Sequence, residues 1–262
     1  MIKPMLNAGF VIVDDLGRSL IFLKEILRTM WRFPTRSKLI FEQIWDVTMQ
    51  SLLTTGMAGF FVGAIMSVQF AMQLKDFGAL GYLGGLATSG TIRELGPLLI
   101  AFMLSGKVGA YTSAELGTMR VTEQIDAIRC LGANPFQEII VPRFIGIIVS
   151  SFFLLALGLL MSILGGTFLA YFFAHVEPEE YVRHISTVLA WPSIVIGLIK
   201  CLCFAVVLAT VCTFRGYTAT GGAKGVGKAV VDTAVSTMIF IVVVDWLVSF
   251  LADIIMNIVV GS

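Results

Sequence analysis

Charged side chains are scarce in this sequence of 262 residues. Asp, Glu, Lys and Arg make up 13% of it, whereas about 25% is usual for a soluble domain. Two long segments, 47–74 and 144–174, contain none of these residues and no histidine. About 20 apolar residues cross a bilayer as a helix, so each segment is long enough to span a membrane. The scarcity of charge excludes an ordinary soluble domain and predicts an all-α integral membrane protein.

Features that would indicate other classes of protein are also missing. A net charge of +1 provides no basic face for a nucleic acid. The N-terminus lacks the pattern of a cleavable signal peptide. His175 and His184 are expected to be solvated loop residues rather than metal ligands. The four cysteines form neither a disulfide framework nor a zinc pattern, and we interpret them as small apolar packing residues: Cys130, Cys201, Cys203 and Cys212.

The N-terminal region, residues 1–45, is predicted to form an amphipathic helix and a linker. Between Phe10 and Phe33, apolar residues recur at steps of three and four with charged residues between them. Because Trp31 and the basic residues that follow suit the headgroup region, we expect this helix to lie at the membrane interface. The apolar positions are Phe10, Val13, Leu16, Leu20, Leu23, Leu27 and Met30.

Five membrane-spanning helices are predicted within residues 46–262. Lys and Arg are more frequent before the first helix, between the second and third, and between the fourth and fifth. The positive-inside rule therefore places the N-terminus in the cytoplasm and the C-terminus on the opposite side. Gly59 and Gly63 are expected to permit close helix approach. The predicted helices cover approximately 50–74, 94–114, 142–172, 190–213 and 229–257.

The predicted cytoplasmic loop at about 115–132 has the pattern of a short amphipathic helix. Gly132 is placed to end this helix, and Pro135 prevents its immediate resumption. Such a helix suits a groove on a partner protein, although a helix packed on its own bundle would have the same pattern. Its apolar stripe is Val121, Ile125, Ile128 and Leu131, and its candidate partner-binding residues are Glu115, Arg120, Glu123, Asp126 and Arg129.

Three charged residues fall within or beside the predicted membrane-spanning helices. Lys200 and Asp245 lie at similar depths in antiparallel helices, which permits an ion pair that either fixes helix register or has a coupling role. Glu94 opens the second helix just before Pro97, where an irregular turn is expected. Its carboxylate either lies at the exoplasmic mouth of a lipid cavity or caps the helix at the interface.

A stripe of flexible and aromatic side chains follows one face of the first predicted helix and its extension. Met66, Phe70, Leu74 and Phe77 are separated by steps of four, four and three residues. Such surfaces suit acyl chains of variable shape. The alternatives are plain packing within the bundle and a surface that faces the bilayer.

The segment 222–228 reads G-A-K-G-V-G-K, which fits the first seven positions of a phosphate-binding loop. Ala229 then replaces the hydroxyl residue that would hold Mg²⁺, and a membrane-spanning helix rather than a strand precedes the segment. We therefore expect a flexible basic loop. An active transporter built on this chain would need a separate ATPase.

Several motifs together resemble one family of membrane proteins. Arg93-Glu-Leu-Gly-Pro97, Ser105-Gly-Lys-Val-Gly109, the run 114–127 and Pro142-Arg143 are similar to motifs of the MlaE (YrbE) permeases of phospholipid-trafficking ABC transporters. The segment Asp126-Ala-Ile-Arg-Cys-Leu-Gly132 also resembles the coupling loop of ABC importers. One departure is Lys107, where the family is expected to have arginine. Lysine keeps the positive charge but lacks the planar fork of a guanidinium group.

The resemblance implies a multi-pass protein of the bacterial inner membrane without catalytic residues of its own. It would move glycerophospholipids between that membrane and periplasmic carriers and so maintain outer-membrane lipid asymmetry. The implied partners are a second copy of the chain, two cytoplasmic ATPases that bind ATP and Mg²⁺, a small STAS-type subunit and a hexamer of MCE-domain proteins. Neither the direction of transport nor the lipid headgroup follows from it.

Two other functions stay open on the residues alone. An ion- or proton-coupled secondary transporter would use Glu94, Lys200 and Asp245 as a relay and would need no ATPase. An intramembrane lipid enzyme is disfavoured, because no nucleophile–base pair or metal-ligand cluster lies within the predicted membrane-spanning helices.

Overall fold

The computed structural model describes residues 17–31 and 37–260, which form helices and short turns and contain no strand within those ranges. The turns include one 3₁₀ turn, Leu80–Tyr82, and three π-helical turns, Thr91–Leu95, Ser105–Gly109 and Phe136–Ile140. The helices are α1 (17–31), α2 (Ser37–Asp76), α3 (Leu83–Gly90), α4 (Gly96–Leu104), α5 (Ala110–Val121), α6 (Gln124–Cys130), α7 (Val141–Ala174), α8 (Pro178–Val188), α9 (Trp191–Tyr217) and α10 (Gly222–Val260).

Five helical segments of the described ranges are long and apolar enough to cross a membrane. The chain is an all-α integral membrane protein, as its sequence predicts. The five segments are Ser37–Asp76, Leu80–Val121, Phe136–Ala174, Trp191–Tyr217 and Gly222–Ile255.

The second of these segments begins well before the predicted helix. Leu80, Leu83 and Ala87 form only a short apolar stripe in residues 80–93, and Gly84 and Gly85 disfavour a helix in isolation. Tertiary packing overrides that preference, because a Cβ at Gly84 would lie 2.0 Å from the carbonyl oxygen of Tyr181. The glycines thus let α3 lie directly against α8, and the helix forms through this contact.

Short elements distinguish the two ends of the bundle. The helix α6 lies between the second and third membrane-spanning segments, and α8 lies between the third and fourth. Because the third segment separates them, they lie at opposite ends, which we call the α6 end and the α8 end.

The N-terminal helix α1 packs on the bundle through a face that includes Leu23 of the predicted stripe but is centred on other residues. Phe22 and Ile26 are buried, and the ring of Phe22 lies 5.6 Å from that of Tyr217. Leu20 and Leu27, from the predicted apolar stripe, are exposed. At about 100° per residue, Phe22 and Leu20 fall on nearly opposite sides, so α1 has two apolar faces. Phe10, Val13, Leu16, Arg32 and Phe33 lie outside the described residues.

The helices α2 and α7 form the most extensive helix–helix contact within the described residues. A Cβ added to Gly59 would lie 2.1 Å from the carbonyl oxygen of Gly158, and one added to Gly63 would lie 1.8 Å from that of Ser162. Neither distance leaves room for a side chain. The prediction that Gly59 and Gly63 permit close helix approach is confirmed.

At the α8 end, one tyrosine joins three helices. The Tyr181 side chain of α8 is buried, and its hydroxyl lies 2.9 Å from the Ser67 hydroxyl of α2. Thr88 of α3 donates to the same oxygen at 3.5 Å. These contacts hold α3 in place, and α3 leads directly into the π-helical turn Thr91–Leu95.

The segment 222–228, predicted to be a flexible loop, is instead the beginning of α10. Gly221 and Gly222 adopt φ of 92° and 68° and reverse the chain after α9. A Cβ at Gly225 would lie 1.7 Å from the carbonyl oxygen of Thr220, so the turn packs against the new helix. The loop prediction was wrong because Gly221 and Gly222 form this turn and the residues after them are helical.

Candidate functional site

A buried lysine in the middle of α9 organises a cluster of charges. The side chain of Lys200 is 0% exposed, and its Nζ lies 2.9 Å from Oδ1 of Asp245 on α10. The same Nζ donates to Oε2 of Glu94 at 2.7 Å. One ammonium therefore contacts two carboxylates from two different segments. Such an arrangement compensates the cost of burying a cation among apolar helices.

Glu94 belongs to this cluster, a contact that sequence reasoning missed. It lies in the π-helical turn Thr91–Leu95, directly before Pro97, where an irregular turn is expected. Its Oε2 also accepts a hydrogen bond from Ser249 of α10 at 3.3 Å. The side chain remains 46% exposed. Glu94 thus joins the buried ion pair to an open surface.

The two carboxylates contact Lys200 in different ways. The contact with Glu94 meets the geometry of a directed hydrogen bond. Oδ1 of Asp245 lies within ion-pair distance, but it is buried and accepts no directed hydrogen bond. The ammonium therefore lies between the two carboxylates, within ion-pair distance of both.

A further ion pair extends the cluster along α10. Asp245, Ser249 and Asp253 are four residues apart and share one helix face. Arg93 donates to Asp253 at 2.7 Å, so Arg93 and Glu94 contact different turns of α10. The spacing of these three polar residues in the otherwise apolar segment 238–256 is a sequence signal that could have located the cluster.

An apolar groove lies beside the cluster, between α9 and α10. Its volume is about 520 Å³, and its lining contains no polar surface. Ile196 and Cys203 of α9 and Val248 and Ala252 of α10 line it, so it brackets the level of Lys200 and Ser249. A groove of this size and composition suits an apolar chain.

The predicted lipid stripe does not form one open surface. Met66 is buried, and both Met66 and Phe70 pack against Gly90 at the end of α3. Leu74 packs on the buried cluster around Tyr181. Phe77, which is 83% exposed, is the most open of the four. The stripe is divided because α3, which was not predicted to be helical, covers its centre.

The predicted coupling helix at 115–132 is two helices rather than one. Its first part is the end of α5, and α6 begins only at Gln124. The chain turns at Glu123, whose φ of 60° is left-handed. A non-glycine residue in this conformation costs about 1–2 kcal/mol, which surrounding contacts must offset. The prediction that the helix ends at Gly132 is confirmed, since Gly132 has a φ of 79°.

Ion pairs within the chain stabilise this corner. Arg120 donates to both oxygens of Asp126 at 2.8 and 2.9 Å, and Arg129 donates to Asp126 at 3.3 Å. Glu115 of α5 accepts a hydrogen bond from Arg143 of α7 at 2.7 Å. Four of the residues predicted to bind a partner thus contact one another or the bundle.

The apolar face of α6 is divided between the bundle and the surface. Ile125 is fully buried and Ile128 packs against the core. Leu131, at the end of the predicted stripe, is 85% exposed. The corner therefore presents one large apolar side chain outward while the rest of the stripe anchors it.

Comparison with known proteins identifies the family of this arrangement. The family described as Permease MlaE matches residues 40–251, which include the charge cluster and the α5–α6 corner. The chain belongs to the MlaE permease family.

Curated relatives of this MlaE permease extend over most of its length. A probable ABC transporter permease protein of Rickettsia bellii is 29% identical over 238 residues, 91% of this chain and 92% of the relative. One from Synechocystis is 32% identical, covering 77% and 75% of the two chains. The intermembrane phospholipid transport system permease protein MlaE of Haemophilus influenzae is 28% identical, covering 80% and 81%.

The lysine that departs from the expected MlaE pattern links the first two membrane-spanning segments. Lys107 lies in the π-helical turn Ser105–Gly109. Its Nζ donates to the carbonyl oxygen of Gln50 and, at 3.2 Å, to the hydroxyl of Thr54 on α2. An ammonium satisfies these single acceptors without a planar fork.

Proposed function

We propose that this permease is the membrane-spanning subunit of an ABC transporter that moves glycerophospholipids between the inner membrane and periplasmic carriers, and thereby maintains outer-membrane lipid asymmetry. The observation that carries the proposal is the family match over residues 40–251, together with the phospholipid transport named for the Haemophilus relative. ATP and Mg²⁺ are bound by a separate ATPase, and this chain performs no chemistry.

The proposed assembly is a homodimer with two ATPases at the α6 end, a small STAS-type subunit, and a hexamer of MCE-domain proteins at the α8 end. The α6 end is then cytoplasmic and the α8 end periplasmic, with the N-terminus in the cytoplasm and the C-terminus in the periplasm. The excess of Lys and Arg in the loops at the α6 end supports this orientation.

The proposed lipid path passes the open side of Glu94. The apolar groove between α9 and α10, whose lining includes Ile196 and Val248, offers an acyl-chain surface at the level of the charge cluster. Phe77, the exposed member of the stripe that includes Met66, Phe70 and Leu74, extends the path beyond the end of α2. The Lys200 ammonium, shared between Glu94 and Asp245, is the group whose position would couple the path to ATPase-driven movement.

The experiment that tests this function is purification of the chain with the proteins that bind it, followed by reconstitution. Donor vesicles of phosphatidylethanolamine and phosphatidylglycerol would contain a trace of fluorescent phosphatidylethanolamine. We expect a stoichiometric ATPase and ATP-dependent movement of the labelled lipid. Ion or proton flux through the isolated chain, without an ATPase, would instead favour a secondary transporter using Glu94, Lys200 and Asp245.

Leu131 offers a sharper test of the ATPase surface. Replacing Leu131 by aspartate is expected to reduce ATPase copurification about tenfold or more, because an apolar side chain buried at an interface contributes about 1.5–3 kcal/mol. Val182→Asp is the matched control, since Val182 is also exposed but lies on α8 at the other end. The measurement is the molar ratio of ATPase to permease after purification. Equal ratios for the two variants would show that Leu131 is not part of that surface.

A further inference from the structure

Tyr217, the last residue of α9, connects more elements at the α6 end than its sequence position suggests. Its ring lies 5.6 Å from that of Phe22 on α1 and 5.2 Å from that of Phe136 in a π-helical turn. Its hydroxyl accepts a hydrogen bond from Arg129 of α6. Neither motif comparison nor the predicted loop helix indicates this residue.

The contacts of Tyr217 close a ring around the α5–α6 corner. The guanidinium carbon of Arg120 lies 6.0 Å from the centre of the Tyr217 ring, within the range of a cation–π interaction. Asp126 then connects Arg120 to Arg129, and Arg129 donates to the Tyr217 hydroxyl. The aromatic side chain thus contacts both cations that Asp126 neutralises.

This closed set of contacts connects α6 to α9, the helix that carries Lys200. Tyr217 and Lys200 both belong to α9, a continuous helix from Trp191 to Tyr217. At about 1.5 Å per residue, the 17 residues between them (217 − 200) correspond to roughly 25 Å. A helix of this length moves as a rigid body, so a displacement at Tyr217 reaches Lys200.

The other end of such a movement has two arrangements available. The Lys200 ammonium is hydrogen-bonded to Glu94 and lies within ion-pair distance of Asp245, which accepts no directed hydrogen bond. A small axial or rotational shift of α9 changes which carboxylate it favours. Coupling between distant sites requires an element with two discrete positions, and we infer that an ammonium shared between two carboxylates has one position nearer to each.

We propose that Tyr217 is a positioning residue that couples the α6 corner to the Lys200 cluster through α9. The proposal rests on the function proposed above, in which an ATPase acts on α6. It differs from a role in ATPase binding, because Tyr217 contacts α1, α5 and α6 of its own chain. The hydrogen bond from Arg129 to its hydroxyl determines whether a movement of α6 also moves α9.

The test is Tyr217→Phe in the full complex with its ATPase, reconstituted into the phosphatidylethanolamine and phosphatidylglycerol vesicles described above. The ring contacts remain, so the complex is expected to stay folded and to bind its ATPase at the wild-type level. Loss of a hydrogen bond to a charged group corresponds to about a tenfold change in equilibrium. We therefore expect the amount of lipid moved per ATP hydrolysed to fall about tenfold.

Two further variants make the outcome decisive. Tyr171→Phe is the matched control, because its exposed ring packs on Phe172 of the same helix, far from α6. Arg129→Gln removes the hydrogen bond to Tyr217 together with the ion pair to Asp126, so the double variant is expected to have the same transport ratio as Arg129→Gln alone. The readout is the ratio of transfer to hydrolysis, which a merely structural residue would not change.

Three results would overturn the proposal. They are a transport ratio within twofold of wild type, a loss of ATPase binding in Tyr217→Phe, and an additive effect of the double variant. Failure of the proposed function is distinguishable from each, because the wild-type complex would then move no lipid with ATP.

Discussion

Replacing Lys200 by alanine is expected to destabilise the permease by about 3 kcal/mol and to abolish ATP-dependent lipid transfer. The change leaves the carboxylates of Glu94 and Asp245 without their shared cation. Most of the loss of stability comes from Asp245, because its side chain is only 17% exposed. The side chain of Glu94 is 46% exposed, so its unpaired charge is less costly. The measurements are thermal unfolding of the purified complex and transfer of fluorescent lipid. Unchanged assembly together with unchanged transfer would show that the cluster has neither role.

A neutral version of the cluster separates a register-fixing role from a coupling role. The triple variant Glu94→Gln, Lys200→Met, Asp245→Asn keeps the size of each side chain and removes all three charges. Well-packed neutral replacements of buried ion pairs are often as stable as the pairs. We expect the triple variant to regain thermal stability but to remain inactive in transfer. Recovery of both properties would mean that the charges only fix helix register.

How much of this cluster follows from the sequence depends on the residue. Lys200 and Asp245 are isolated charges in long apolar helices, and their depths can be estimated from helix rise alone. The contact of Glu94 with Lys200 could not be predicted in the same way. It depends on the π-helical turn Thr91–Leu95, and the start of α3 at Leu83 was itself not predicted. A turn of that kind changes which face of the helix meets its neighbour.

The α5–α6 corner could also be predicted only in part. Gly132 marks the end of α6 because glycine is favoured in a left-handed conformation. The break at Glu123 has no such residue and was missed. It is stabilised by the ion pair of Arg120 with Asp126 on the other side of the turn. Pattern analysis finds breaks caused by local preference and overlooks those imposed by contacts between side chains.

The close approach of another helix at Gly59 and Gly63 was predicted, although its partner α7 was not, and this contact leads to the second large effect. Replacing Gly63 by alanine is expected to lower the free energy of unfolding by about 3 kcal/mol, the upper part of the usual range for overpacking. The new Cβ would lie 1.8 Å from the carbonyl oxygen of Ser162, which belongs to the backbone of α7. Backbone atoms in the middle of a helix cannot move aside individually, so the two helices must separate. Thermal unfolding of the purified protein in detergent measures the loss.

Gly56→Ala in the same helix is the matched control. There the new Cβ would lie 3.9 Å from Cγ of Met161, an ordinary van der Waals contact with a flexible side chain. Alanine is favoured over glycine in a helix by about 1 kcal/mol, so this variant is expected to be neutral or slightly more stable. Because helix propensity acts equally at both positions, the difference between the two variants reports the close approach alone. Equal stabilities would mean that α2 and α7 lie further apart than the structure places them.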